Sequence, residues 1–226
     1  MRFGHLILWE MKFQARYGFY LLYGFLTVLY TVLLFSFPES WKENAAAILI
    51  FSDPAAMGLF FMGAIILLEK SQKVTSFFSV SPLRVLEYIC SKTLALNLIA
   101  LFVAAVLAFS ASCKSIPLVL FGTFLSGILF TLLGIIIATK ISSLNQFILA
   151  TVPVEVITFV PAILHLFGVT PEFMRIYPAN VCMDLVSGRD FSVIGLIFTV
   201  VLIAVLFFAA YKSVSKMWQG QGGVKL

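Results

Sequence analysis

Residues 93–139 read TLALNLIALFVAAVLAFSASCKSIPLVLFGTFLSGILFTLLGIIIAT, and Lys114 is the only charge among them. A helix that crosses the hydrocarbon core of a bilayer needs about 20 mostly apolar residues. The stretch holds two such crossings, 93–113 and 115–139, and the polar break around Cys113 to Ser115 leaves room only for a tight hairpin. Two apolar helices joined in this way define the chain as an all-α membrane protein.

Outward from this hairpin the same rule gives four more spans. Residues 17–37 lie between Arg16 and Glu39 without a charge, and 191–211 lie between Asp190 and Lys212. Residues 45–68 carry only Asp53, and 141–168 carry only Glu155. The expectation is a single transmembrane domain over 1–226 with six transmembrane helices. Composition agrees: 62% of the 226 residues are hydrophobic, 24 are Phe and only 11% are charged, too few charges to cover a soluble surface. The N-terminus does not read as a cleavable signal, since Glu10 and Lys12 interrupt its apolar run.

The connecting segments set the expected orientation, because cytoplasmic loops carry the excess of Lys and Arg. Arg2, Lys12, Arg16, Lys70, Lys73, Arg84, Lys92, Lys140, Lys212, Lys216 and Lys225 fall on one side, 11 in all, against Lys42, Lys114, Arg175 and Arg189, 4 in all, on the other. Both ends are therefore expected in the cytoplasm, with the chain multi-pass in the cytoplasmic (inner) cell membrane. Tyr17, Tyr20, Trp41, Tyr211 and Trp218 fall near span ends, where aromatic belts sit. The net charge of +5 is spread along loops in this way and does not point to nucleic acid.

Three segments are more than connections. Residues 3–16 place Arg2, His5, Lys12 and Arg16 on one arc of a helix and Phe3, Leu6, Ile7, Met11 and Phe13 on much of the other, as an interfacial helix would. Glu10 and Gln14 break the apolar arc and could meet a protein partner; a plain extension of the first span is the simpler reading. The 69–92 segment holds four basic residues, an exposed Phe77–Phe78 pair and a helix start at Ser81-Pro82, with Ser as N-cap and Pro at the first helical position. It reads as a docking knob or, more simply, as a solvated loop. The outer segment 169–190 is punctuated by Pro171, Pro178 and Gly188, with a short interfacial helix expected over 181–186.

Catalytic and metal-binding patterns are missing. The sequence has no P-loop, H-E-x-x-H, G-x-S-x-G or C-x-x-C, so no enzyme activity, cofactor or metal is expected on this chain. Cys113 and Cys182 both fall on the outer side, which leaves a disulfide between them open, whereas Cys90 is expected to stay reduced. Thr123, Gly127 and Thr131 follow a four-residue step that favours close helix packing over a substrate-lining role. Two acids lie inside spans, where charge is expensive. Glu155, between Pro153 and Pro161, reads either as part of a translocation path or gate or as a buried, satisfied acid. Asp53, followed by Pro54, reads either as part of that path or as the N-cap of a helix starting at 54, with 45–52 a separate short element.

The order of elements resembles the permease subunits of ABC-2 type exporters, especially small drug-export permeases similar to fluoroquinolone exporters. The stretch Glu69-Lys70, Phe78 to Leu83 and then Glu87, Tyr88 and Lys92 looks like the family's turn between the second and third spans, and Tyr177 to Asn180 is similar to its approach to the last span. The resemblance implies a second permease copy or related subunit, two separate ATPase subunits that supply ATP, and docking of the ATPase on the N-terminal helix and on Glu69, Lys70, Lys73, Phe77, Phe78, Ser81, Pro82 and Arg84. It implies export of a hydrophobic or amphipathic compound. On the residues alone, a non-transporting assembly or immunity protein and a secondary transporter remain alternatives, although no inverted repeat relates 1–113 to 114–226.

The loop charges make a direct prediction. A reporter fused after Lys225 should read as cytoplasmic and one inserted near Arg175 as external; the reverse pattern would overturn the orientation.

Overall fold

The computed structural model describes residues 2–80 and 83–221. Among these residues ten α-helices follow in order: α1 (Arg2–Arg16), α2 (Phe19–Ser36), α3 (Glu39–Ala55), α4 (Met62–Ser71), α5 (Val74–Val80), α6 (Val85–Ser110), α7 (Ile116–Lys140), α8 (Leu144–Leu166), α9 (Pro178–Val186) and α10 (Val193–Gln221). A π-helical stretch, Ala56–Phe61, joins α3 to α4, and a 3-10 turn, Glu172–Ile176, precedes α9. Six segments are long and apolar enough to cross a membrane: α2, the run from Glu39 to Ser71, α6, α7, α8 and α10. The expected six-helix membrane fold is therefore present, without a strand among the described residues.

The N-terminal helix is separate from the first span. Gly18 breaks the chain at φ +79°, a left-handed conformation that glycine adopts without strain. α1 turns Glu10 and Gln14 inward, while His5, Lys12 and Arg16 stay exposed together with Phe3, Leu8 and Trp9.

The second span differs from the expected one. Asp53 does not cap a new helix, and 45–52 is not a separate element, since the helix runs on through Pro54. Proline cannot donate to the carbonyl four residues back, and the shifted ladder is taken up by the wider π turn that begins two residues later. A helix end at this depth would expose backbone groups to hydrocarbon, so continuation is the cheaper solution. The sixth span also runs longer than expected, past Lys212 and Lys216, and Trp218 is buried in the bundle where an interfacial belt residue was expected.

α7 is the central helix, packed against α3, α4, α6, α9, α10 and the π turn. Its small residues allow this. A Cβ on Gly134 would stand 2.7 Å from the Leu59 carbonyl oxygen, and one on Gly127 would stand 2.1 Å from Asn97 Oδ1. The four-residue step is thus a packing device. The hairpin between α6 and α7 is as tight as expected, with Ser112 at φ +52°. The short helix expected over 181–186 begins earlier, at Pro178, and all nine residues of α9 are buried, so it is tucked into the bundle and does not lie along an interface. Cys90, Cys113 and Cys182 are free thiols, which removes the Cys113–Cys182 bond as a feature of this structure.

A buried ionic cluster ties α1, α4 and α6 together. Lys92 Nζ donates to Glu10 at 3.0 Å and 3.1 Å and to Glu69 Oε1 at 2.6 Å, and the Tyr88 hydroxyl donates to Glu69 Oε2 at 2.7 Å. The ammonium also lies 4.8 Å from the centre of the Tyr88 ring. Burial pushes the Glu10 carboxyl above its ordinary value, and the Lys92 charge opposes that shift. Tyr88 continues the cluster into an aromatic box with Trp218 (5.4 Å between ring centres) and Phe78 (5.6 Å), and Phe78 in turn meets Trp218 at 6.1 Å. The N-terminal helix and the end of α10 therefore meet at the same end of the bundle, as six crossings require.

Removing the cation would strand two buried carboxylates side by side. Lys92→Met should cost roughly 3–5 kcal/mol, read as a lower unfolding temperature of the detergent-solubilised protein. Replacing the whole cluster, as in Glu10→Leu/Glu69→Leu/Lys92→Met, should restore most of that. A Lys92→Met protein as stable as its parent would show that the cluster does not hold this end together.

Candidate functional site

The 69–92 segment divides into an inward and an outward set. Glu69 is fully buried on Lys92. Lys70 donates to the carbonyls of Ala138 (2.7 Å), Thr139 (2.9 Å) and Ile141 (2.8 Å) at the end of α7, where helical partners run out and only the Ala138 oxygen also accepts a backbone amide, that of Ile141. Its charge also suits the negative end of that helix. Phe78 belongs to the aromatic box, so the expected exposed Phe77–Phe78 pair is split: Phe77 is 70% exposed and Phe78 faces the bundle. The split follows from helix geometry, since adjacent residues of α5 point about 100° apart. Lys73, at φ +57°, and Arg84 are exposed beside Phe77 in sequence. Ser81 and Pro82 lie outside the described residues. α6 begins at Val85, not at Pro82, with the Arg84 amide donating to Glu87 Oε2 at 3.1 Å. The outward set is therefore Lys73, Phe77 and Arg84.

The two intramembrane acids occupy different surroundings. Asp53 is buried, and its Oδ2 has no hydrogen-bond partner among the described residues. Glu155 is half-buried on α8 beside the exposed Val152 and Val156, and its carboxyl has no partner among the described residues. α8 stays helical through both Pro153 and Pro161. Pro161 frees the carbonyl of Ile157, and the Tyr177 hydroxyl donates to that oxygen at 3.0 Å. The segment before α9 thus repairs the defect that Pro161 makes in α8.

A cavity of about 200 Å³ opens beside this repair, lined mainly by apolar groups that include Phe51, Phe130, Thr158, Tyr177, Cys182 and Phe198. Its chemistry suits an apolar or aromatic molecule with few hydrogen-bonding needs. Nearer the α9 end, His165 bridges Thr170 (2.7 Å) and Asp184 (3.1 Å), which latches α8 to α9. Burial pushes the Asp184 carboxyl above its ordinary value, and His165 opposes this. No group of three or more metal-ligating side chains occurs among the described residues.

Sequence reasoning missed the partnership of Glu10, Glu69, Tyr88 and Lys92. One signal was present: Glu10 interrupts the apolar arc of an otherwise amphipathic helix, and such an acid needs a cation.

Comparison with known proteins agrees with this architecture. Residues 1–219 match the Fluoroquinolones export permease protein family. The fluoroquinolones export permease proteins of two Mycobacterium tuberculosis strains are each 29% identical to this chain over 166 residues, which covers 72% of this chain and 70% of theirs. With its six membrane-crossing helices and a match over nearly its whole length, this chain belongs to the fluoroquinolones export permease protein family.

Proposed function

We propose that the chain is the membrane-spanning subunit of an ATP-driven exporter of the ABC-2 type. It moves a hydrophobic or amphipathic drug-like compound out of the cytoplasm, and the fluoroquinolones for which its relatives are named are the first candidates. It works in the cytoplasmic membrane with a second permease copy or a related permease, and it binds no cofactor of its own. The energy comes from separate ATPase subunits, since this sequence has no P-loop.

Family membership supports the transport reading, and Phe77 carries the docking reading. An aromatic side chain 70% exposed on a seven-residue helix at the end of the bundle is the kind of anchor that dominates protein interfaces. Lys73 and Arg84, exposed on either side of it in the sequence, add basic charge to the same segment. Force applied to α5 passes through Phe78 to Trp218 of α10 and Tyr88 of α6, and through Glu69 and Lys92 to α1. The acid on α8 serves as the path or gate: an unpartnered carboxyl at that depth needs a wet cavity, a proton or a neighbouring subunit.

Two mutations separate docking from folding. Phe77→Ala should abolish capture of the ATPase and export while leaving the unfolding temperature unchanged. Phe78→Ala should instead lower stability by roughly 2–4 kcal/mol. Pull-down of the partner ATPase, with a membrane-expression control, reads both. Undiminished capture by Phe77→Ala would move the docking site elsewhere, and no capture by the parent protein would remove the ATP-driven reading.

Glu155→Gln keeps shape and hydrogen bonding and loses ionisation. Export should fall at least several-fold at normal protein levels, measured as drug accumulation in cells. Unchanged export would reduce Glu155 to a structural residue.

A further inference from the structure

A second recess lies at the end of the bundle that carries both termini. It measures about 770 Å³ and sits between the ends of α4, α7 and α10. Lys70, Lys140 and Lys216 stand around it, with the hydroxyls of Ser71, Ser142 and Ser213. Leu67 and Met217 supply apolar surface beside them. No carboxylate lines the recess, and Lys140 and Lys216 have no ion-pair partner among the described residues.

We propose that this recess binds the phosphate headgroup of an anionic phospholipid. Three observations converge on that ligand. First, Lys70 neutralises the carbonyls at the end of α7, which would otherwise repel an anion, and its ammonium stays fixed in the wall. The local charge is then that of Lys140 and Lys216, uncompensated. Second, Lys140 is the last residue of α7 and Lys216 lies within the final turns of α10, so the recess sits where two spans leave the hydrocarbon, at headgroup depth. The Ser142 and Ser213 hydroxyls donate to phosphate oxygens, Ser71 being held on the Leu68 carbonyl, and the Leu67 and Met217 surface meets the start of the acyl chains. Basic recesses between span ends are suited to anionic headgroups. Third, none of Lys73, Phe77 and Arg84, the residues assigned above to the ATPase face, lines the recess. The inference requires only that the protein spans a membrane and does not rest on the export reading.

Native mass spectrometry of the protein from micelles doped with phosphatidylglycerol or with phosphatidylcholine tests this. The parent protein should retain phosphatidylglycerol preferentially. Lys140→Gln/Lys216→Gln should weaken that retention roughly 25-fold, while Lys140→Arg/Lys216→Arg should preserve it. Lys114→Gln, at the opposite end, should change nothing. Unfolding temperatures verify that the glutamine variant is folded; should it not be, loss of retention in each single variant is the expected result. Inorganic phosphate, which has the charge without the acyl chains, should fail to displace the lipid at equal concentration. Equal retention of the two lipids by the parent, retention unaltered in the glutamine variant, or displacement by phosphate alone would each overturn the assignment. So would a glutamine variant that lost only its ATPase.

Discussion

Three helices meet at Lys92, and the packing of one end of the bundle depends on that buried cation. Desolvating an ammonium and two carboxylates costs several kcal/mol per ion, so the cluster persists only because every member is paired. Lys92 spans Glu10 and Glu69, and Tyr88 takes the remaining oxygen of Glu69. The result is specificity more than net stability. α1 keeps His5, Lys12 and Arg16 exposed along with Phe3, Leu8 and Trp9, and the Glu10–Lys92 bond holds the Glu10 side of the helix inward. With α1 docked, Trp9 and Leu8 face outward, where a membrane interface would meet them.

The same end shows how polar and aromatic contacts share the work. Tyr88 belongs to both networks: its hydroxyl closes the ionic cluster and its ring packs on Trp218 and Phe78. A displacement of α5 cannot leave α6 or α10 unaffected, because the ring contacts are continuous. Rigid coupling of this kind suits a subunit whose energy source lies in another polypeptide.

Elsewhere the bundle is organised around breaks in regular backbone. Pro54 is absorbed by the π turn at Ala56–Phe61, whose backbone approaches Gly134 of α7 too closely for any side chain. Pro161 leaves a carbonyl that Tyr177 satisfies from a different segment. In a membrane such a group needs a partner, and at Pro161 that need creates a tertiary contact between α8 and the segment before α9. The repair at Pro161 also places Tyr177 on the wall of the apolar cavity, which links the geometry of α8 to the shape of a candidate ligand space.

The six crossings were legible in the amino-acid sequence because the rule that sets them is local: about 20 apolar residues between charges suffice to cross a bilayer. The tight hairpin at Cys113 to Ser115 and the packing role of Gly127 were legible for the same reason. The fate of the remaining charges was not. Lys92 reads as a loop charge from its neighbours, yet its partner Glu10 stands 82 positions away. Glu69 and Lys70 read as parts of one exposed turn, yet one closes an ionic cluster and the other caps α7. Phe77 and Phe78 are chemically identical, and only the placement of α5 against α10 decides which is exposed. Burial of a polar group is settled by whether a distant partner can reach it, and that distance exists only once the helices have packed.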